Sequence, residues 1–260
     1  MRLNDLEICK KNDNFHIEKS KKKLNINNVI FAKSITYFLY LIALPIMIIL
    51  GYILLGNQKY NVFSLFIAVL SLLPMFFAFE KGNNTAREIV IIAVMTAISC
   101  VGRLVFAPLP GFKPITAIVI ITGIAFGMRA GFITGAMTAF VSNFIYGQGP
   151  WTPFQMFSFG FIGLLSAIIF NPNKKVNMIL LVFVGIVGGI LFSLMMDIYT
   201  TLSVDNAFSF ERYLFFVSAS LPFMAIYVVS NVVFLLLITK PLMPKLNRLR
   251  NLYGVFKSRW

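Results

Sequence analysis

Asn177 to Met196 reads NMILLVFVGIVGGILFSLMM, twenty residues without a charge. At about 1.5 Å of rise per residue a helix of that length covers about 30 Å, the thickness of bilayer hydrocarbon, so the segment reads as a membrane-spanning helix. Comparable uncharged stretches run from Ser34 to Leu55, from Asn61 to Phe79 and from Tyr213 to Thr239. Between Ile89 and Lys174 the breakers divide the chain: Pro108-Leu109-Pro110-Gly111-Phe112-Lys113-Pro114 is a turn, Arg129 a polar stop, and Gly147-Gln148-Gly149-Pro150-Trp151-Thr152-Pro153 a second turn. Four further spans follow, over 88–107, 114–128, 130–147 and 154–170, for eight in all. The span over 114–128 is the weak one, because 15 residues give only about 22 Å; it tilts little or is partly re-entrant.

The whole chain agrees with this reading. Of its 260 residues 58% are hydrophobic and 12% charged, and the mean hydropathy is +0.84, beyond the balance of an ordinary soluble domain. The net charge of +14 would suggest nucleic acid on a soluble protein. Here 19 of the 23 Lys and Arg fall on alternate connections between spans, and the other four, Lys59, Arg103, Lys113 and Arg212, fall on the opposite side with Asp205 and Glu211. Cytoplasmic loops collect Lys and Arg, so both termini are expected in the cytoplasm and no nucleic-acid partner is needed to explain the charge. Cys9 and Cys100 lie in a polar tail and in an apolar run, which gives no disulfide framework or metal motif. The first thirty residues are polar and charged and do not resemble a cleavable signal peptide.

Gly123, Gly127, Gly131 and Gly135 recur every four residues, and the stripe continues through Ala139 to Asn143. Small residues at that spacing let helix backbones approach closely in lipid. Ala93 and Ala97 form a second small-residue face, which either packs inside the bundle or receives a partner protein. Chemistry is sparse. The single histidine, His16, is in the first tail, and the sequence has no HExxH, no paired-aspartate motif and no GxxxxGK[ST] phosphate loop. Enzyme and ATPase readings are therefore disfavoured, and neither cofactor nor metal is implied.

The polar groups that do occur gather at the outer ends of the spans: Arg103, Lys113, Asn143, Gln148, Trp151, Thr152, Gln155 and Asp197. An amide-rich and aromatic patch with a cation or two and one acid describes a site for a small, mostly uncharged ligand. Structural readings stand beside this one. Trp151 also suits an interfacial anchor, Arg103 a side chain snorkelling to headgroups, and Asn143 a bond to a neighbouring helix. Asp197 either pairs with Arg103 or holds a ligand group.

On these residues the run from Ala86 to about Lys240 resembles the substrate-binding S component of an energy-coupling factor (ECF) vitamin transporter. The likeness rests on Ala93-xxx-Ala97, on Gly102-Arg103 before a Pro-rich loop, on Phe112-Lys113-Pro114 with Thr116-Ala117, and on Ala139 to Asn143 running into Gly147 to Met156. The last stretch is similar to the cobalamin-type subgroup. The resemblance implies an all-α integral membrane protein with a six-helix core, outer loops over the ligand, and Ala93 and Ala97 docking a transmembrane coupling subunit that works with two ATPase subunits. It also implies the plasma membrane of a bacterium or archaeon. The expected organisation is a basic cytoplasmic tail (1–33), two extra transmembrane helices (34–85), the substrate-binding core (86–240) and a second basic tail (241–260). The extra helices depart from the family pattern. Cobalamin is the first-choice ligand, since its amides and apolar corrin face match Asn143, Gln148 and Gln155 beside Trp151, Phe112 and Phe154; a cobalamin fragment or a pyrimidine is the alternative. A membrane scaffold without a ligand is the rival reading, and a channel a weaker one.

Overall fold

The computed structural model describes residues 86–171, 175–205 and 208–256. The first basic tail and the two extra spans expected over 34–85 lie outside the described residues. Among those described there are six helices and no strand: α1 (Ala86–Val105), α2 (Ile115–Phe126), α3 (Met128–Tyr146), α4 (Trp151–Ile169), α5 (Met178–Asp205) and α6 (Phe210–Tyr253). Four of them, α1, α4, α5 and α6, are long and apolar enough to cross a membrane.

The weak span of the sequence, α2, is the centre of the bundle. It has only 12 residues, about 18 Å of helix, yet every one of them is buried and it packs against all five other helices. A run such as Ile-Val-Ile-Ile that shows no polar face is what a helix surrounded by other helices requires. The helix stops at Gly127 rather than at Arg129. Gly127 has φ +94°, a conformation open to glycine without strain; its N–H closes α2 on the Gly123 carbonyl (2.9 Å) and its own carbonyl accepts from Gly131 (2.9 Å). One glycine thus ends α2 and starts α3.

The glycine stripe is used inside the bundle. A Cβ on Gly163 would lie 2.5 Å from the Gly131 carbonyl oxygen, and one on Gly135 2.5 Å from that of Phe159, so α3 and α4 touch backbone to backbone. Gly123 brings α2 to the same place on α4, where the Ser166 hydroxyl donates to the carbonyls of Ile120 (3.2 Å) and Gly163 (2.8 Å). Such contact replaces the hydrophobic drive that lipid does not supply. Two further buried hydroxyls bond within their own helix: Thr122 donates to the Ile118 carbonyl and Thr138 to that of Thr134, each at 2.7 Å.

α4 begins at Trp151, inside the second expected turn. Pro150 takes helical φ and ψ before it, and Pro153 sits in the first turn, where a missing N–H leaves no hydrogen bond unmade. α6 runs for 44 residues, about 66 Å, continuing past Thr239 through Pro241 and Pro244 to Tyr253. After left-handed Gly254 the chain turns back, Phe256 donates its N–H to the Glu88 carboxylate (2.8 Å), and its ring meets Phe126 at 5.1 Å. The last residues of the bundle are thereby tied to the start of α1 and the end of α2.

Candidate functional site

Arg103 lies in the last turn of α1, on the face buried against α3. It is 8% exposed and turned into the protein, not out toward headgroups. Its Nη1 donates to the Ser142 hydroxyl and to Asn143 Oδ1 (2.9 Å), its guanidinium carbon stands 4.4 Å from the centre of the Tyr146 ring, and the Tyr146 hydroxyl donates to its carbonyl (2.9 Å). One turn of α3 therefore holds the cation on three sides.

The direction of these bonds is forced. A guanidinium only donates, so Asn143 must face it with its oxygen, and Asn143 Nδ2 then donates to Thr152 Oγ1 and to Gln155 Oε1, both at 3.0 Å. Gln155, with its oxygen turned to Asn143, points its NH₂ group the other way. Thr152 passes its own proton to Gln148 Oε1 (2.9 Å), and Gln148 Nε2 closes the chain on the Phe140 carbonyl (2.9 Å). The loop between α3 and α4 is fastened to α3 by this network.

Lys113 is carried by the Pro-rich connection between α1 and α2. Phe106 and Phe112 anchor that loop on α6 through Phe234, with ring centres 4.9 and 5.1 Å from it, and Gly111 (φ +77°) lets the backbone pass against Ile226 and Tyr227. Ser230 of α6 then clamps the Lys113 backbone at both polar atoms, accepting from its N–H (2.8 Å) and donating to its carbonyl (3.0 Å). The ammonium comes 5.6 Å from the same Tyr146 ring that faces Arg103. Burial pushes the Lys113 pKa down, and the neighbouring guanidinium pushes it the same way.

Beneath this loop lies a cavity of about 80 Å³. Arg103, Lys113 and Gln155 line one part of it, and Phe159, Phe192 and Tyr227 another; Thr116 and Asn231 complete its polar edge. Phe159 and Phe192 are stacked (4.5 Å, 14°), and Tyr227 meets Phe192 edge on at 5.1 Å. Of the helices, α1, α2, α4, α5 and α6 reach the cavity directly, while α3 reaches it through its hold on Arg103.

Three of the eight outer residues singled out in the sequence, Arg103, Lys113 and Gln155, are thus brought to one cavity, and Asn143, Thr152 and Gln148 stand behind them. Trp151 and Asp197 do not line it. The Trp151 ring packs on Gly149 of its own loop. Asp197, on α5, accepts from Ser220 of α6 (2.7 Å) and forms no ion pair with Arg103. Ala93 and Ala97 are exposed on α1 among Val90, Val94 and Val101, away from the bundle interior.

A family model for the substrate-specific component of ECF transporters matches residues 87–243, more than half of the chain. The chain belongs to this family. Comparison with curated proteins and with solved structures found no match. As a member of the family it is a multi-pass membrane subunit that binds a substrate for transport and is not an enzyme; an ECF coupling subunit and ATPase subunits are its implied partners. The cavity is also lined by residues not singled out in the sequence, Phe159, Phe192, Tyr227 and Asn231, and by Thr116, which entered there only through the family resemblance. Tyr227, Ser230 and Asn231 fall within the uncharged run over 213–239; a Ser-Asn pair in so apolar a helix was the available signal.

Proposed function

We propose that this S component captures a small vitamin or vitamin precursor at the extracellular side, in the cavity beneath the Pro-rich loop, for ATP-driven import with its coupling and ATPase subunits. The positive-inside distribution of Lys and Arg supports the orientation, with both termini cytoplasmic. The size of the cavity carries the choice of ligand. At about 80 Å³ it is far below the roughly 300–1,000 Å³ of pockets that enclose drug-sized molecules, so it suits a compact ligand, such as a pyrimidine or a fragment of cobalamin, better than an intact corrin. Cobalamin, toward which the residues from Gly147 to Met156 point by resemblance, requires both outer loops to part widely. The exposed Ala93 and Ala97 face is the proposed seat of the coupling subunit. The scaffold reading loses its main support because the glycine stripe is consumed between α2, α3 and α4.

Purified protein incubated with cobalamin and freed of unbound ligand is expected to stay colourless, while native mass spectrometry finds a small molecule retained from the cells. A stoichiometric corrin spectrum in the protein peak reverses the choice of ligand and restores cobalamin. A protein that retains no small molecule and binds no vitamin from a panel argues for the scaffold.

A further inference from the structure

The sequence suggests a mostly uncharged ligand, and the geometry argues the opposite. Two cations, Arg103 and Lys113, line one cavity, and among the described residues no Asp or Glu lines it with them. Asp197 accepts from Ser220 outside the cavity lining, and Glu88 lies at the other end of α1 beside Phe256. The Tyr146 ring faces both cations and offers them the negative face of a quadrupole, but it brings no net charge. A buried guanidinium and a half-buried ammonium facing one ring are costly unless a counter-charge joins them. Arg103 moreover keeps a buried Nε without a hydrogen-bond partner among the described residues. Gln155, beside them, gives its oxygen to Asn143 and so has its N–H donors left to offer.

We propose that the Arg103, Lys113 and Gln155 side of the cavity receives an anionic group, a carboxylate or phosphate, of a small soluble ligand whose body lies against Phe159, Phe192 and Tyr227. Arg103 and Lys113 can only donate and Gln155 turns its donors away from Asn143, and an oxyanion is the partner that accepts from several donors while supplying the missing charge. Ser230 is the positioning residue of this site, since it fixes the backbone of Lys113. The inference rests on the reading of this cavity as the capture site and names the class of ligand it selects.

The test uses the full chain in nanodiscs of phosphatidylcholine at fixed ionic strength, with thermal unfolding followed in the presence of matched probes: nicotinate against nicotinamide, benzoate against benzamide, and inorganic phosphate. At least one anion is expected to raise Tm where its neutral counterpart does not. Lys113→Met is expected to raise the Kd for that anion at least tenfold, and Arg212→Gln, which changes a cation paired with Asp205 away from the cavity, to leave it unchanged. Because Arg103 also holds α1 to α3, Lys113→Met and Gln155→Glu, not an Arg103 variant, carry the test; Gln155→Glu is expected to abolish the anion effect. Equal stabilisation by amides and acids overturns the anionic class while leaving small-ligand capture in place, and no response to any anion also overturns it. If phosphatidylglycerol in the nanodisc reproduces the shift and Lys113→Met removes it, the bound anion is a lipid headgroup and the soluble-ligand proposal fails.

Discussion

Asn143 is fully buried and uses both ends of its amide within the protein, one toward Arg103 and the other toward Thr152 and Gln155. In the proposed site it therefore works through the groups it orients: it holds the Arg103 guanidinium and takes the oxygen end of Gln155. The sequence shows it as a lone amide deep in an apolar helix, but not its bonding direction, because that follows from a donor-only partner forty residues away. Lys113 is a parallel case. The sequence places it with Arg103 in the outer polar patch, but only the fold reveals that Ser230 and the Phe106, Phe112 and Phe234 rings hold its loop so that it comes to the same Tyr146 ring as Arg103. The depressed pKa of Lys113 has a consequence for stability. Between that value and the unfolded value of about 10.4 the unfolded chain binds more protons than the folded one, so this residue's contribution makes stability rise with pH in that window. Below the folded pKa its cost is present in full. The Tm of ligand-free Lys113→Met minus that of the wild type should accordingly be largest near neutral pH and shrink toward pH of about 10; a difference independent of pH would show that Lys113 is as well solvated as any surface lysine.

At the scale of the helices, the apolar runs and the turn residues located all six elements, because charged and Pro-Gly-rich segments cannot lie in lipid and so mark the ends. The boundaries shifted where backbone conformation overrode polarity. Gly127 ends α2 two residues before Arg129 since it alone in that stretch adopts positive φ, and α4 reaches back to Trp151 because prolines fit a first turn. The role of α2 was not legible at all. Shortness marks it as a poor span, yet a helix covered on every side needs no length to shield itself from lipid, and only tertiary contacts distinguish the two cases. The glycine stripe was read correctly as a site of close approach, without the partner being visible: Gly163 of α4, which the stripe meets at Gly123 and Gly131. Gly163→Ala places a methyl group 2.5 Å from a backbone oxygen that cannot move aside alone, so α3 and α4 must separate. The expected loss is about 1–3 kcal/mol, as for other overpacked interiors. Gly188→Ala is the comparison, since its Cβ would meet only side-chain carbons at 3.3 Å and beyond; its loss of Tm in detergent should be clearly smaller, and equal losses would show that general helix dynamics, not the backbone contact, set the effect.

Over the whole molecule, the proposed ligand cavity and the small-residue face of α1 are separate surfaces that share one helix. Arg103 turns inward from the last turn of α1 to the cavity, while Ala93 and Ala97 lie on the exposed side two to three turns earlier, among Val90, Val94 and Val101. α1 contacts α2 and α3 within the bundle, and the exposed face is used by neither. A substrate-specific component works with ATPase subunits, so a transport cycle requires that ligand occupancy be sensed by the partner that carries the energy, and a helix bearing both the proposed ligand residue Arg103 and the proposed docking face is the shortest physical route for it. Small residues on that face allow the close helix-to-helix approach that stabilises association in lipid, and an indole at Ala97 would hold a partner helix off by several ångströms. Ala97→Trp is therefore expected to keep the Kd of the captured ligand within about twofold, well under the 1.4 kcal/mol that a tenfold change represents, while reducing ATP-dependent uptake into cells with the coupling and ATPase subunits by tenfold or more. Ligand retention on the purified protein and uptake by intact cells measure the two separately. Loss of both together would place Ala97 within the folded core in spite of its exposure, and normal uptake would move the docking surface off α1 to another face of the bundle.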